Sequence, residues 1–197
     1  MKRSLFAALL YAAFSLSANP ALAQEMPGDF RDYLLSIREG DMRKMKIHET
    51  PIKLPDTAFI DVEGTEIRFS DSNGKFRVVN FWATWCAPCR EEMPALATLR
   101  TEYGDGVFDV MTIATGRNRI EGIEKFYKEV GITDLPILLD PKGKLAREMG
   151  VLGLPVTVLV DAKGYEIARL TGGADWFDET TLTFLKAVLD GPGDMED

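Results

Sequence analysis

The segment Trp82-Ala83-Thr84-Trp85-Cys86-Ala87-Pro88-Cys89-Arg90-Glu91-Glu92-Met93-Pro94 holds both cysteines of a 197-residue chain. It continues from Phe76-Arg77-Val78-Val79-Asn80-Phe81-Trp82, a β-branched and aromatic run that reads as a buried central strand ending at Ala83-Thr84. A helix is predicted from near the first cysteine, its register carried by Met93, Leu96, Leu99 and Tyr103 at spacings of three and four residues. Cys86 then sits at a helix N-terminus, where unpaired N–H groups and the helix dipole favour a thiolate. The thiolate is the species that attacks a disulfide, and a Cys-x-x-Cys pair so placed suits reversible dithiol chemistry. Cys89 lies one turn deeper and should be more buried. Cys86 is therefore read as the attacking thiol and Cys89 as the resolving one.

At the N-terminus, Met1-Lys2-Arg3 precedes an apolar stretch from Leu5 to Leu16 and then Ala21-Leu22-Ala23 before Gln24. A basic start, a short apolar segment and an Ala-x-Ala site read as a secretory signal peptide, residues 1–23, with an uncleaved anchor as the alternative. No cysteine follows the cut, which argues against a lipoprotein anchor. Removing 1–23 takes away two bases and no acid, leaving 21 basic and 31 acidic side chains and a formal charge of −10. That balance argues against nucleic-acid or anionic-membrane binding. Two cysteines two residues apart cannot staple distant parts of a fold, so in an exported chain redox work explains them better than stabilisation.

Residues 24–50 show only a short amphipathic pattern in Phe30, Tyr33, Leu34 and Ile37, then a charged stretch from Arg38 to Lys46 that reads as solvated. This segment is expected to be a helix and a linker, with His48, the only histidine, exposed in it. From Pro51 strand signals begin, with Ala58–Val62 and Thr65–Phe69 as a hairpin around Glu63-Gly64. Val107–Ala114 is a strand, 120–130 a helix closed by Gly131, Leu135–Leu139 a strand and 145–149 a short helix. Val156–Asp161 and Tyr165–Leu170 form a second hairpin, and Asp178–Leu189 is a last helix with Leu182, Leu185, Val188 and Leu189 near one face. Alternating strands and helices imply parallel pairing in the middle. One domain, residues 51–190, is expected, with 191–197 a loose acidic tail.

These residues resemble the TlpA-like family of exported thiol-disulfide oxidoreductases. The resemblance rests on the block 82–96, on a strand-helix insertion within about 117–150, on Gly153-Leu154-Pro155 with Thr157, and on Gly172-Gly173-Ala174-Asp175-Trp176 before the last helix. It implies an α/β thioredoxin fold with an N-terminal β-hairpin extension and that central insertion. It implies a cis peptide at Pro155 facing the dithiol, where an incoming chain could pair as a strand. Client docking is accordingly expected at Trp85, Pro88, Leu154 and Pro155, with Trp85 at the core edge as the alternative. Pro94 also matches, within the helix, and Trp82 reads as core.

Where thioredoxin has an aspartate six residues before the first cysteine, this chain has Asn80, which cannot take a proton. The resemblance puts an acid with a proton-handling role at Glu92; the alternative is that Glu91 and Glu92 merely favour the start of the helix. Arg90 could support the Cys86 thiolate or be a solvated helix residue.

Three function classes compete. The first, favoured here, is a dithiol-disulfide oxidoreductase acting on exported proteins in the periplasm, with no cofactor beyond its own cysteine pair. The second is a copper(I)-binding dithiol; zinc would need two more ligands than the chain offers near the pair. The third is a redox-inert binding module. Ala87-Pro88 places no cation between the cysteines to stabilise the reduced form, so a reductase is expected rather than an oxidant. The resemblance then implies a membrane thiol electron donor and, as clients, copper-site proteins of cytochrome oxidase assembly, with apocytochrome c as the alternative. A monomer is expected.

Overall fold

The computed structural model describes residues 25–192; the expected signal segment 1–23 and most of the acidic tail lie outside them. Eight strands form one sheet. They are β1 (Lys46–Lys53), β2 (Phe59–Ile60), β3 (Glu66–Ile67), β4 (Phe76–Trp82), β5 (Phe108–Thr115), β6 (Leu138–Asp140), β7 (Val156–Val160) and β8 (Tyr165–Thr171). The helices are α1 (Gly28–Ser36), α2 (Ala87–Tyr103), α3 (Ile120–Val130), α4 (Lys144–Glu148) and α5 (Glu179–Asp190). The strand order is β1-β8-β7-β4-β5-β6-β2-β3.

Every residue of β4 is buried. It pairs in parallel with β5, from Phe76 opposite Phe108 to Trp82 opposite Ala114, and antiparallel with β7 on its other edge. A strand with neighbours on both edges and layers on both faces is buried throughout, which is why the run 76–82 shows no alternation, and its two polar side chains are bonded: Arg77 to Ser72, Asn80 to Glu92 and Thr157. Two apolar clusters flank the sheet. One contains Trp82, Met93, Leu96 and Phe184 beneath α2 and α5, and the other contains Val79, Phe81, Ile113 and Val158 on the opposite face. Thus the end of β4 carries the cysteine loop up between two packed layers.

Several expectations need correction. The stretch Arg38 to Lys46 is solvated only in part: Glu39, Arg43, Lys44 and Lys46 are exposed, but a 3₁₀ turn, Gly40–Lys44, drives Met42 and Met45 to full burial, and β1 begins at Lys46. The strand β1 pairs antiparallel with β8, from Lys46 opposite Arg169 to Lys53 opposite Tyr165, with an irregularity between Ile47 and Ile52. His48 is not exposed either. Its Nε2 lies 2.7 Å from Oε1 of buried Glu166, which also accepts from Arg169 Nε at 2.6 Å and Nη2 at 2.7 Å. A buried carboxylate needs such partners, and only strand pairing brings residue 48 to residue 166. The Glu166 carboxyl is held below its ordinary range, because the hydrogen bonds from His48 and Arg169 outweigh its burial.

Smaller differences have local causes. The strand expected from Leu135 begins at Leu138, after Pro136, which has no N–H to give a ladder. The first hairpin keeps only two residues per strand, as Asp61 accepts from the backbone N–H groups of Glu63 and Thr65 and turns the chain early. Tyr33, Tyr103 and Leu189 point outward, and the buried face of α5 is Thr181, Phe184, Leu185 and Val188. The end of α3 is as expected, with Gly131 in the left-handed region at φ 76°.

Burying a methionine fully ties the 3₁₀ turn to the core. Met42→Ala is expected to lower unfolding stability by about 2–4 kcal/mol in urea titrations. A change within about 0.5 kcal/mol, as for a surface site, would mean residues 24–50 are a linker after all.

Candidate active site

The strand β4 ends where the chain must turn into α2, and the turn is fixed from outside. Asn118 Oδ1 accepts from the Thr84 backbone N–H at 2.9 Å and from its hydroxyl at 3.0 Å, while Asn118 Nδ2 donates to Thr115 O. Cys86 is the N-cap of α2; its sulfur accepts from the Cys89 backbone N–H at 3.3 Å. The two cysteines form a disulfide with their Cα atoms 5.3 Å apart. Cys86 keeps 7% of its surface exposed and Cys89 none. This is the order of burial expected from the positions of the two cysteines on the helix.

Glu92 lies one turn beyond Cys89 on the buried face of α2, 3% exposed, so it is not a solvated first-turn carboxylate. Its Oε2 accepts from the Trp176 indole N–H at 3.0 Å and from the Ala174 backbone N–H at 3.1 Å, and its Oε1 accepts from Asn80 Nδ2 at 2.7 Å. Burial pushes the Glu92 carboxyl up to about 7, against the opposing pull of Trp176, Asn80, Ala174 and Lys44. Asn80 Nδ2 also donates to Thr157 Oγ1 at 2.8 Å, while Asn80 Oδ1 is buried without a partner. With Glu92 ionised this orientation suits the carboxylate. With Glu92 protonated, a half-turn of the Asn80 amide offers Oδ1 as acceptor to the acid proton, and the Thr157 hydroxyl can donate to the same oxygen. The residue that replaces an aspartate thus serves both protonation states of a carboxyl that arrives from the helix instead.

The loop 173–176 that reaches Glu92 is itself held by the N-terminal segment. Lys44 Nζ donates to Gly173 O at 2.7 Å and pairs with Asp41 at 2.7 Å, and Asp41 Oδ2 accepts from the Asp175 N–H at 3.0 Å. A cleft of roughly 570 Å³, lined by Asp41, Pro88, Glu91, Glu92 and Asp175 among others, opens beside this latch. Neither Asp41 nor Lys44 stood out in the sequence, since a charged turn 48 residues before Glu92 carries no periodic signal.

The Leu154-Pro155 peptide is cis, and the next residue, Val156, pairs with Phe81 of β4. Pro155 is buried, its carbonyl accepting from the Gly172 N–H at 2.9 Å. Trp85 is 67% exposed and lines a second cleft together with Leu154. Pro88 lies on the first cleft, so the expected docking residues divide between two sides of the disulfide. Trp82 is core, stacked on Tyr127 at 6.0 Å. Arg90 is engaged away from the cysteines: its guanidinium lies 4.7 Å over the Phe126 ring and 3.9 Å from Glu129. Among the described residues no group of three or more His, Cys, Asp or Glu is placed to hold a metal ion.

Residues 51–182 match the family model described as Redoxin. The thiol-disulfide oxidoreductase ResA of Geobacillus thermodenitrificans is 36% identical over 118 residues, 60% of this chain and 67% of that protein. The thioredoxin-like protein YneN of Bacillus subtilis is 36% identical over 110 residues, 56% of this chain and 64% of that protein. This chain thus spans about two thirds of the length of these curated relatives. A solved thiol:disulfide interchange protein of the thioredoxin family from Chlorobium tepidum superposes with a TM-score of 0.57 at 25% identity, covering 70% of this chain and 99% of that one. The α/β arrangement is the thioredoxin fold.

The raised Glu92 carboxyl has a consequence for stability. Between the ordinary carboxylate range and pH about 7, the folded protein keeps a proton there that the unfolded chain has lost. The contribution is therefore present at low pH, falls as pH rises through that window and is constant above it. From about pH 5 to about pH 8 the wild type should lose about 2–3 kcal/mol of urea stability relative to Glu92→Gln. Equal losses in the two proteins would show that Glu92 does not titrate in this range.

Proposed function

The chain belongs to the Redoxin family, and from that premise we propose that it is an exported reductase of client-protein disulfides. It is a thiol-disulfide oxidoreductase that works through its own cysteine pair. The observation that carries the reading is the asymmetry of that pair: 7% exposure on Cys86, full burial of Cys89, and a buried carboxyl raised to about 7 one turn beyond Cys89.

In the reduced chain the Cys86 thiolate attacks one sulfur of a client disulfide. The Cys86–client bond forms, the client bond breaks, and the other client sulfur leaves as a thiolate that takes a proton. Cys89 then attacks Cys86 Sγ, the Cys86–Cys89 bond forms, and the second client sulfur leaves. Glu92 takes the proton of Cys89 in this step, and the departing sulfur takes one from solvent. The client gains two electrons and two protons, and a membrane thiol donor must return them. Pro155 and Leu154 bear on the client backbone beside Cys86, with Trp85 and Pro88 at the two ends of the contact.

Export rests on the 1–23 leader, and periplasmic residence follows from it; no helix among the described residues is long and apolar enough to cross a membrane. The unit that does this work comprises residues 51–190, braced by 24–50. Within the family, the resemblance of Gly172 to Trp176 to TlpA itself favours copper-site proteins of cytochrome oxidase assembly as clients. That segment is the one whose Trp176 and Ala174 hold Glu92.

Direction of electron flow is read by the reduction potential of the pair, expected near roughly −270 mV; a value near about −120 mV would make the chain an oxidant. Cys89→Ser should accumulate mixed disulfides with clients, visible on non-reducing gels, whereas Cys86→Ser should form none. In stopped-flow release from a preformed mixed disulfide, Glu92→Gln should slow resolution about a hundredfold and remove its rise with pH through about 7. Release at the wild-type rate would dismiss Glu92 as the proton acceptor.

A further inference from the structure

On the side of the disulfide away from Glu92 lies the second cleft, of roughly 530 Å³. Its apolar lining includes Trp85, Leu152 and Leu154. Leu152 is 99% exposed and Trp85 67%, the two most exposed large apolar side chains among the described residues. Apolar groups left in water at the rim of a redox centre gain free energy only when something covers them. The remaining side chains decide what that is.

Arg117, Lys142 and Arg147 line the same cleft, and its lining contains no acidic residue. All three are exposed, and among the described residues none is in an ion pair. Arg147 is pinned across the loop by donating from Nη1 to Lys142 O at 2.8 Å. The nearby acid, Asp140, is buried and turned away, accepting from the N–H groups of Lys144 and Ala146 and from the Thr115 hydroxyl. In a chain of net charge −8, three uncompensated cations beside two exposed apolar groups form a local field of the opposite sign.

We propose that this cleft is a client-docking surface that selects disulfide-bearing protein segments with acidic residues and an apolar side chain next to the disulfide. The selection rests on the reductase reading above. The apolar side chain of the client packs against Leu152 and Trp85 while its carboxylates meet Arg117, Lys142 and Arg147. Rim charges of this kind act mainly on the rate of encounter and on the choice of partner.

Two peptides carrying one disulfide and one leucine, identical except for three flanking glutamates or three flanking lysines, test this with the full chain. The reduced wild type should reduce the acidic peptide about tenfold faster in kcat/KM at low salt, the ratio falling toward one at high salt. The ratio should also fall toward one in the variant Arg117→Gln, Lys142→Gln, Arg147→Gln. A ratio of one in the wild type, or one that survives both salt and the charge changes, overturns the proposal.

Versions of the peptides with serine for both cysteines, bound to the oxidised chain and followed by fluorescence anisotropy, read docking without electron flow. There the acidic version should bind about tenfold more tightly. Equal affinities overturn the proposal even if reduction is fast. Failure to reduce hydroxyethyl disulfide, with the binding preference intact, would instead remove the reductase reading and leave the docking surface. Dimers of the wild type that the charge variant abolishes would assign the cleft to a second copy of the chain and overturn the client reading.

Discussion

A carboxyl group buried beside a dithiol is the constraint on which the rest of this structure depends. Glu92 comes from α2, Asn80 from β4, Thr157 from β7 and Ala174 and Trp176 from the loop before α5, and all meet within hydrogen-bond distance. Burying a carboxyl without partners costs several kcal/mol, so these donors cannot shift independently. They fix the rotation of α2 about its axis, and with it the depth of Cys89 and the exposed edge of Cys86. The same burial raises the carboxyl to about 7, where it can hold or release a proton under ordinary conditions. The group that anchors the site is thus also the one whose titration is moved into the neutral range.

The disulfide sits between two clefts of opposite character. On one side Asp41, Glu91, Glu92 and Asp175 gather around Pro88; on the other Arg117, Lys142 and Arg147 surround Trp85 and Leu152. Residues 85 and 88 bracket Cys86, so a three-residue span of backbone separates the acidic side from the basic one. The chain thereby keeps an acidic surface overall and presents the reactive sulfur next to a basic one. Under the proposed mechanism and docking surface, proton traffic and partner choice would fall to different faces of the same loop.

The N-terminal segment is joined to both faces. Through Lys44, Asp41 and Asp175 it holds the loop that reaches Glu92. Through β1 and His48 it meets Glu166, whose partner Arg169 donates from Nη2 to Met149 O at 3.0 Å, just before the loop that carries Leu152. Its two buried methionines supply the apolar part of the bond to the core. Residues outside the matched family region thus brace the site without supplying a reacting atom.

The sequence by itself determined the central strand, the cysteine helix and the order of burial of the two cysteines. A seven-residue run of β-branched and aromatic residues around Arg77 and Asn80, a helical spacing and a Cys-x-x-Cys at the junction are local patterns, and local patterns survive without a partner chain segment beside them. The resemblance added the cis peptide at Pro155, which no local rule requires. Tertiary structure alone decided the rest. His48, Lys44 and Met42 sit in a charged stretch with no period of 2 or 3.6; His48 meets Glu166 because β1 pairs with β8 more than a hundred residues later, while the 3₁₀ turn before β1 buries Met42 and brings exposed Lys44 to Gly173. Local pattern does not separate Glu92 from Glu91, and only the resemblance singles out Glu92; the packing of α2 on Trp176 turns it inward and leaves Glu91 in water. The basic rim was equally hidden, because Arg117 lies in the loop after β5 and Arg147 in α4, and they share a surface only once β5, β6 and α4 have folded against one another.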